Sequence, residues 1–148
     1  MPTKQATFDL IVTHLRRQGC KSVSAGACQY RGRDGRQCAA GCLIPEDRYQ
    51  WAMEGRALAE DEYCLSLMEI EPPYGGSHKF NNWTDTEEPL VPTLPGAVLV
   101  ELGHDLALCR QMQEVHDNVP PGIWELGFKW VADAFELEYN PPVVPAAV

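Results

Sequence analysis

The sequence predicts an α+β domain that is mainly α: four or five helices around one core, with a small β-hairpin and a long Pro/Gly-rich loop. Three observations predict it. Apolar residues recur at helical spacing near both ends of the chain. An Asp-Gly pair, Asp34-Gly35, stands between two short alternating runs. Pro and Gly crowd residues 71–96, where Pro72, Pro73, Gly75, Gly76, Pro89, Pro92, Pro95 and Gly96 leave little room for regular structure. With 148 residues, 45% hydrophobic and 22% charged, the chain has the size and composition of one globular domain. That domain is expected over 1–139, with a flexible Pro-rich tail over 140–148.

The first helix is expected over Lys4–Gln18, where Phe8, Ile11, Val12 and Leu15 make one apolar stripe. Thr3 suits its N-cap, Gly19 its left-handed end, and Arg16 and Arg17 the negative pole of its last turn. The hairpin is expected from Cys28-Gln29-Tyr30-Arg31, through Gly32-Arg33-Asp34-Gly35, to Arg36-Gln37-Cys38-Ala39. Pro45 suits the first turn of a short helix reaching Trp51. Leu58, Leu65 and Met68 predict another over Leu58–Met68. The loop follows, with His78, Phe80 and Trp83 as its anchors. Ala97–Asp117 then carries the stripe Leu99, Leu102, Leu106, Cys109 and Met112. Pro121–Glu138 carries Trp124, Phe128, Val131 and Phe135, and the short link between these two predicts neighbouring helices.

The net charge is −9, unevenly spread. Residues 1–58 hold nine Lys/Arg against five Asp/Glu, whereas 59–148 hold three against sixteen. An acidic whole argues against general nucleic-acid binding, which draws on Lys and Arg. No apolar run approaches the roughly 20 residues that cross a bilayer, so no membrane partner is expected. The first residues hold no apolar signal run, and free thiols in a cytoplasmic protein are expected.

Part of the chain resembles a family. Cys28-Gln29-Tyr30-Arg31, the Gly35 turn and Cys38-Ala39-Ala40-Gly41-Cys42-Leu43-Ile44-Pro45 look like a pattern in small uncharacterised proteins of tailed phages and prophages. The segment Leu108 to Asp117, with Gln111 and His116, is similar to that group too. The resemblance implies a phage accessory product inside a bacterial host cell, in a setting where counter-defence is common.

The candidate sites follow from residue chemistry. Arg31, Arg33 and Arg36 on the hairpin offer planar forks that match phosphate, and Tyr30 offers a stacking face. They predict binding of a small anionic ligand, a phosphorylated nucleotide signal, by a non-enzymatic protein. The alternative partner is a basic host protein met through Glu60, Asp61, Glu62, Glu69, Glu71, Asp85, Glu87 and Glu88. A small zinc- or Cys-dependent enzyme is a further alternative. Cys28, Cys38 and Cys42 are the weak metal candidates, since Cys38-x₃-Cys42 has zinc-knuckle spacing. Cys42 before Pro45 is the candidate nucleophile. His104-Asp105 and His116-Asp117, expected on one helix, point about 120° apart and do not share one metal. His116, near the apolar stripe, reads as a hydrogen-bonded core histidine.

Overall fold

The computed structural model describes residues 1–24, 27–60 and 91–142. It is mainly helical. Four α-helices, α1 (Lys4–Gln18), α2 (Leu94–Glu101), α3 (Leu106–Asn118) and α4 (Trp124–Ala134), make up the described body. Two pairs of two-residue strands, β1 (Val23–Ser24) with β2 (Ala27–Cys28) and β3 (Ala59–Glu60) with β4 (Val91–Pro92), are both antiparallel.

Helix α1 forms where its stripe predicts. Thr3 Oγ1 accepts the Ala6 amide at 3.0 Å, and Gly19 closes the helix at φ 70° with its amide on Leu15 O. Phe8, Ile11, Val12 and Leu15 are all buried. They face Leu108, Met112 and Val115 of α3 and Phe128 and Val131 of α4 in one apolar core. Helices α3 and α4 lie so close that a Cβ on Gly127 would meet Val115 Cγ1 at 2.7 Å. Across the body, the Arg16 guanidinium grips the Glu125 carboxylate with two hydrogen bonds, of 3.0 and 2.7 Å.

The long helix expected over Ala97–Asp117 is two helices. Gly103, at φ 89°, breaks it: its amide reaches Val100 O and the His104 amide reaches Leu99 O, a Schellman closure. Asp105 then caps α3 through Leu108 N at 2.8 Å. Helix α2 also starts earlier than expected, with Pro95 and Gly96 inside its first turn rather than in a loop. Gly96 is needed there, since a Cβ would lie 1.9 Å from Leu58 O. At the other end, Pro121–Ile123 is a single 3₁₀ turn before α4.

The segment 28–58 departs most from expectation. The hairpin over 28–39 does not form. Asp34 and Gly35 do make a left-handed turn, closed by Gly32 N–H on Arg36 O at 2.8 Å. No ladder follows, because side chains claim the flanking amides. Glu54 takes Tyr30 N–H at 2.9 Å and Arg31 N–H at 3.0 Å, and Gln18 Oε1 takes Gln37 N–H at 2.8 Å. The helix expected from Pro45 to Trp51 is one turn, with Arg48 and Tyr49 amides on Pro45 O, before Gln50 extends the chain. The helix expected from Leu58 is replaced at Ala59–Glu60 by a strand, since Leu58 O and its neighbours pair with 91–93. Its remainder, the loop over 71–90 with His78, Phe80 and Trp83, and the tail beyond 142 lie outside the described residues.

Candidate functional site

The segment 28–45 is a compact wedge seated on the helical body. Cys38, Ala39 and Ala40 are fully buried, and the Ala40 amide donates to Gln113 Oε1 on α3 at 3.0 Å. Gly41 passes Tyr30 so closely that a Cβ would meet Tyr30 O at 2.3 Å. This contact explains the glycine between Ala40 and Cys42.

The wedge does not gather its arginines. Arg31 turns inward: its guanidinium donates to the carbonyls of Gly41, at 2.7 Å, and Ile44, and lies over the Tyr49 ring at 5.1 Å. It serves as a clamp on the Gly41–Ile44 turn and has no ligand-facing fork left. Arg33 and Arg36 are exposed on the turn and line no described cavity. Tyr30 is buried, and its hydroxyl donates to Arg56 O at 2.5 Å. The four expected ligand residues therefore do not converge: Tyr30 lines a cavity that Arg31, Arg33 and Arg36 do not.

That cavity lies between the start of the wedge, residues 55–58 and the outer face of α3. Its volume is about 300 Å³, and Cys28, Tyr30, Arg56, Arg110, Gln113 and Asp117 are among its walls. Arg110 is buried and Arg56 exposed. Glu114 also lines it, its carboxyl pushed above the usual range by burial, against the pull of Asn118.

At the cavity wall a polar cluster joins β2 to the last turn of α3. Gln113 Nε2 donates to Cys28 Sγ at 3.1 Å and to Asp117 Oδ1 at 2.8 Å. His116 is fully buried, stacked on Trp124 with ring centres 5.8 Å apart. The Ser22 amide donates to its Nε2 at 3.0 Å, so the ring proton sits on Nδ1 and is given to Asp117 Oδ1 at 2.8 Å. Burial opposes a charge on His116 while Asp117 and Cys28 favour one, and the balance lifts its pKa. The Ser22 amide proton is aimed at Nε2 and fixes that nitrogen as an acceptor.

This cluster is not a nucleophile with its base. Cys28 Sγ lies 3.9 Å from Nδ1, the same nitrogen that Asp117 holds, whereas a relay needs two different ring nitrogens. The Cys28 thiol is also pushed far up, first by its hydrogen bond with Cys38 and then by burial. Cys42 is no better placed. It donates to Ala39 O at 3.1 Å, and burial pushes its thiol up to about 12. The Cys38–Cys42 knuckle does not form either, since Cys38 Sγ is turned to the Gly41 amide at 3.3 Å. No disulfide joins the five described cysteines.

His104 and His116 stand on different elements. His104, in the break between α2 and α3, meets Thr7 Oγ1 at 2.7 Å, and burial lowers its pKa. His116 is the hydrogen-bonded core histidine that its position predicts. The partners that Cys28 gains were not legible, because the contact spans 88 residues of sequence. The one available signal was Gln113-x₂-His116-Asp117, a polar run in the turn where α3 meets the wedge. Among the described residues no helix is long and apolar enough to cross a membrane. Of the acidic face, Glu60 lies on β3 and the other seven residues fall outside the described parts. Compared with family models, curated proteins and solved structures, the chain matches none.

Proposed function

We propose that this protein acts by binding rather than turnover, and that the cavity beside α3 takes a small phosphorylated ligand of the nucleotide-signal class. The observation that carries the reading is the cavity's charge layout. Two arginines, Arg56 and Arg110, line one space with Asp117 and Glu114. Guanidinium suits phosphate, and a carboxylate accepts the amino protons of a base. A volume near 300 Å³ stands at the low end of small-molecule sites, which favours a single small ligand. The reading moves the arginines from the wedge tip, where Arg31 is consumed internally, to Arg56 and Arg110. The resemblance to phage accessory proteins supports capture of a host signal in a bacterial cytoplasm as its setting.

Thermal unfolding with a panel of cyclic and linear nucleotides tests it. A bound ligand at a hundred times its Kd adds about 2.7 kcal/mol to stability. The expected result is a rise in Tm with one member of the panel, lost in Arg110→Gln. An unchanged Tm across the panel overturns the proposal.

A further inference from the structure

We propose that Cys28, His116 and Asp117 form a three-ligand site for a divalent transition metal, zinc by its chemistry, with the remaining position open to the cavity. The proposal shares Asp117 and the cavity with the nucleotide reading but does not rest on it. One ligand atom from each residue, Sγ, Nδ1 and a carboxylate oxygen, lies within 4.8 Å of the others. Thiolate, imidazole and carboxylate are the donor set zinc accepts, and three protein ligands with an open position make an accessible centre. Two of the three, Cys28 and Asp117, line the cavity, so an ion has a route in.

The geometry asks for small movements. Zinc bond lengths in a tetrahedron place sulfur and nitrogen about 3.5 Å apart, against 3.9 Å between Cys28 Sγ and His116 Nδ1. Nδ1 and Asp117 Oδ1, at 2.8 Å, would separate slightly. Before a metal binds, one proton stands on His116 Nδ1, facing Asp117, and one on the Cys28 thiol. Binding sends the thiol proton to solvent and leaves the imidazole neutral, its proton moved from Nδ1 to Nε2.

The moved proton needs an acceptor, and here a second observation enters. Ser22 Oγ is buried and has no hydrogen-bond partner, on the same residue whose amide touches Nε2. Buried hydroxyls without partners are uncommon. With the metal on Nδ1, the Ser22 hydroxyl, which now lies against Gly32, would turn to take Nε2–H, and the Ser22 amide, which now donates to Nε2, would shift off the ring. Gln113, already on Sγ and Oδ1 and anchored by the Ala40 amide, stays as the donor that steadies both ligands.

Cobalt(II) titration of the full chain, with zinc competition and native mass spectrometry, tests the site. The expected result is one metal per chain and a thiolate-to-cobalt charge-transfer band that zinc removes. Cys28→Ala abolishes the band, and Asp117→Asn weakens binding. Ser22→Ala and Gln113→Ala lower affinity about 10–100-fold, as loss of outer hydrogen-bond partners does. His116→Gln removes a core group that can cost the fold, so the decision rests on the cavity-wall variants Cys28→Ala and Asp117→Asn, with circular dichroism as the fold control. No bound metal, or one unaltered by Cys28→Ala, overturns the proposal. Neither result bears on nucleotide binding, which is read in metal-free buffer.

Discussion

The helical body and the arm over residues 28–58 are held together by different physics. In the body, α1, α3 and α4 satisfy their own backbones and meet through apolar stripes such as Phe8–Ile11–Leu15 and Trp124–Phe128–Val131. The arm has no long helix, only single 3₁₀ turns at Arg33–Gly35, Gly41–Leu43 and Trp51–Met53. Between these turns side chains take up the backbone groups: Glu54 on Tyr30 and Arg31, Arg31 on Gly41 and Ile44, Gln18 on Gln37, and Gln113 on Ala40. The difference teaches where each region is vulnerable. The body fails by losing volume, the arm by losing a charge or an amide.

The largest expected effect therefore lies in the body. Phe128 is fully buried among the stripes of all three helices. Phe128→Ala should cost about 3–5 kcal/mol, as deletion of a core ring does. Chemical denaturation measures it. A loss below about 1 kcal/mol would show that α4 is not part of the central core.

This contrast also decides how much the residues alone could reveal. Stripes and caps are local, so α1 was legible to its ends, Thr3 and Gly19 included. The core of α4 was legible for the same reason. The break at Gly103 carried its own signal, a glycine followed two residues later by the capping Asp105, but the apolar stripe ran across it and masked it. Residues 28–39 read as a hairpin because Asp34-Gly35 does turn. What suppresses the ladder is Glu54, which lies 24 residues beyond Tyr30 and takes the amides a partner strand would need. The cavity suffered likewise: Cys28 was a candidate, yet its neighbours Gln113, His116 and Asp117 arrive from the far end of the chain. Local patterns predict elements; distant polar pairings decide what irregular chain does between them.

Arg31 sharpens the comparison. Its side chain is 17% exposed and clamps two carbonyls of the arm. Arg31→Ala should destabilise the fold by about 2–3 kcal/mol, since hydrogen bonds from a charged donor are worth roughly 1.5–3 kcal/mol each and solvent replaces part of them. Arg33→Ala and Arg36→Ala, on the exposed turn, should change stability by no more than about 0.5 kcal/mol. Equal effects from all three, read as denaturation midpoints, would refute the inward role of Arg31 and return the wedge tip to the list of ligand sites.

The smallest effect is a pH dependence located in the body. His104 sits where α2 passes to α3 and meets Thr7 of α1, half-buried. Burial lowers its folded pKa below the ordinary 6.5. In the unfolded chain the same ring takes a proton near pH 6.5, so below that pH the unfolded state binds more protons than the folded one. The His104 contribution should therefore fall as pH drops through 6.5 and level off once the folded ring is also protonated, while His116, with its raised folded pKa, contributes in the opposite sense. Glu125 acts in a lower window. Burial raises its pKa but the Arg16 grip outweighs it, so the folded value lies below 4.5 and its contribution is lost as pH falls through that value. Denaturation midpoints across pH 4–8 separate the two. His104→Gln should flatten the upper decline and leave the lower one in place, because a neutral amide at the Thr7 contact has no proton to take up. If the upper decline survives this substitution, another titrating group governs it, and the joint between α2 and α3 is not a point of acid sensitivity.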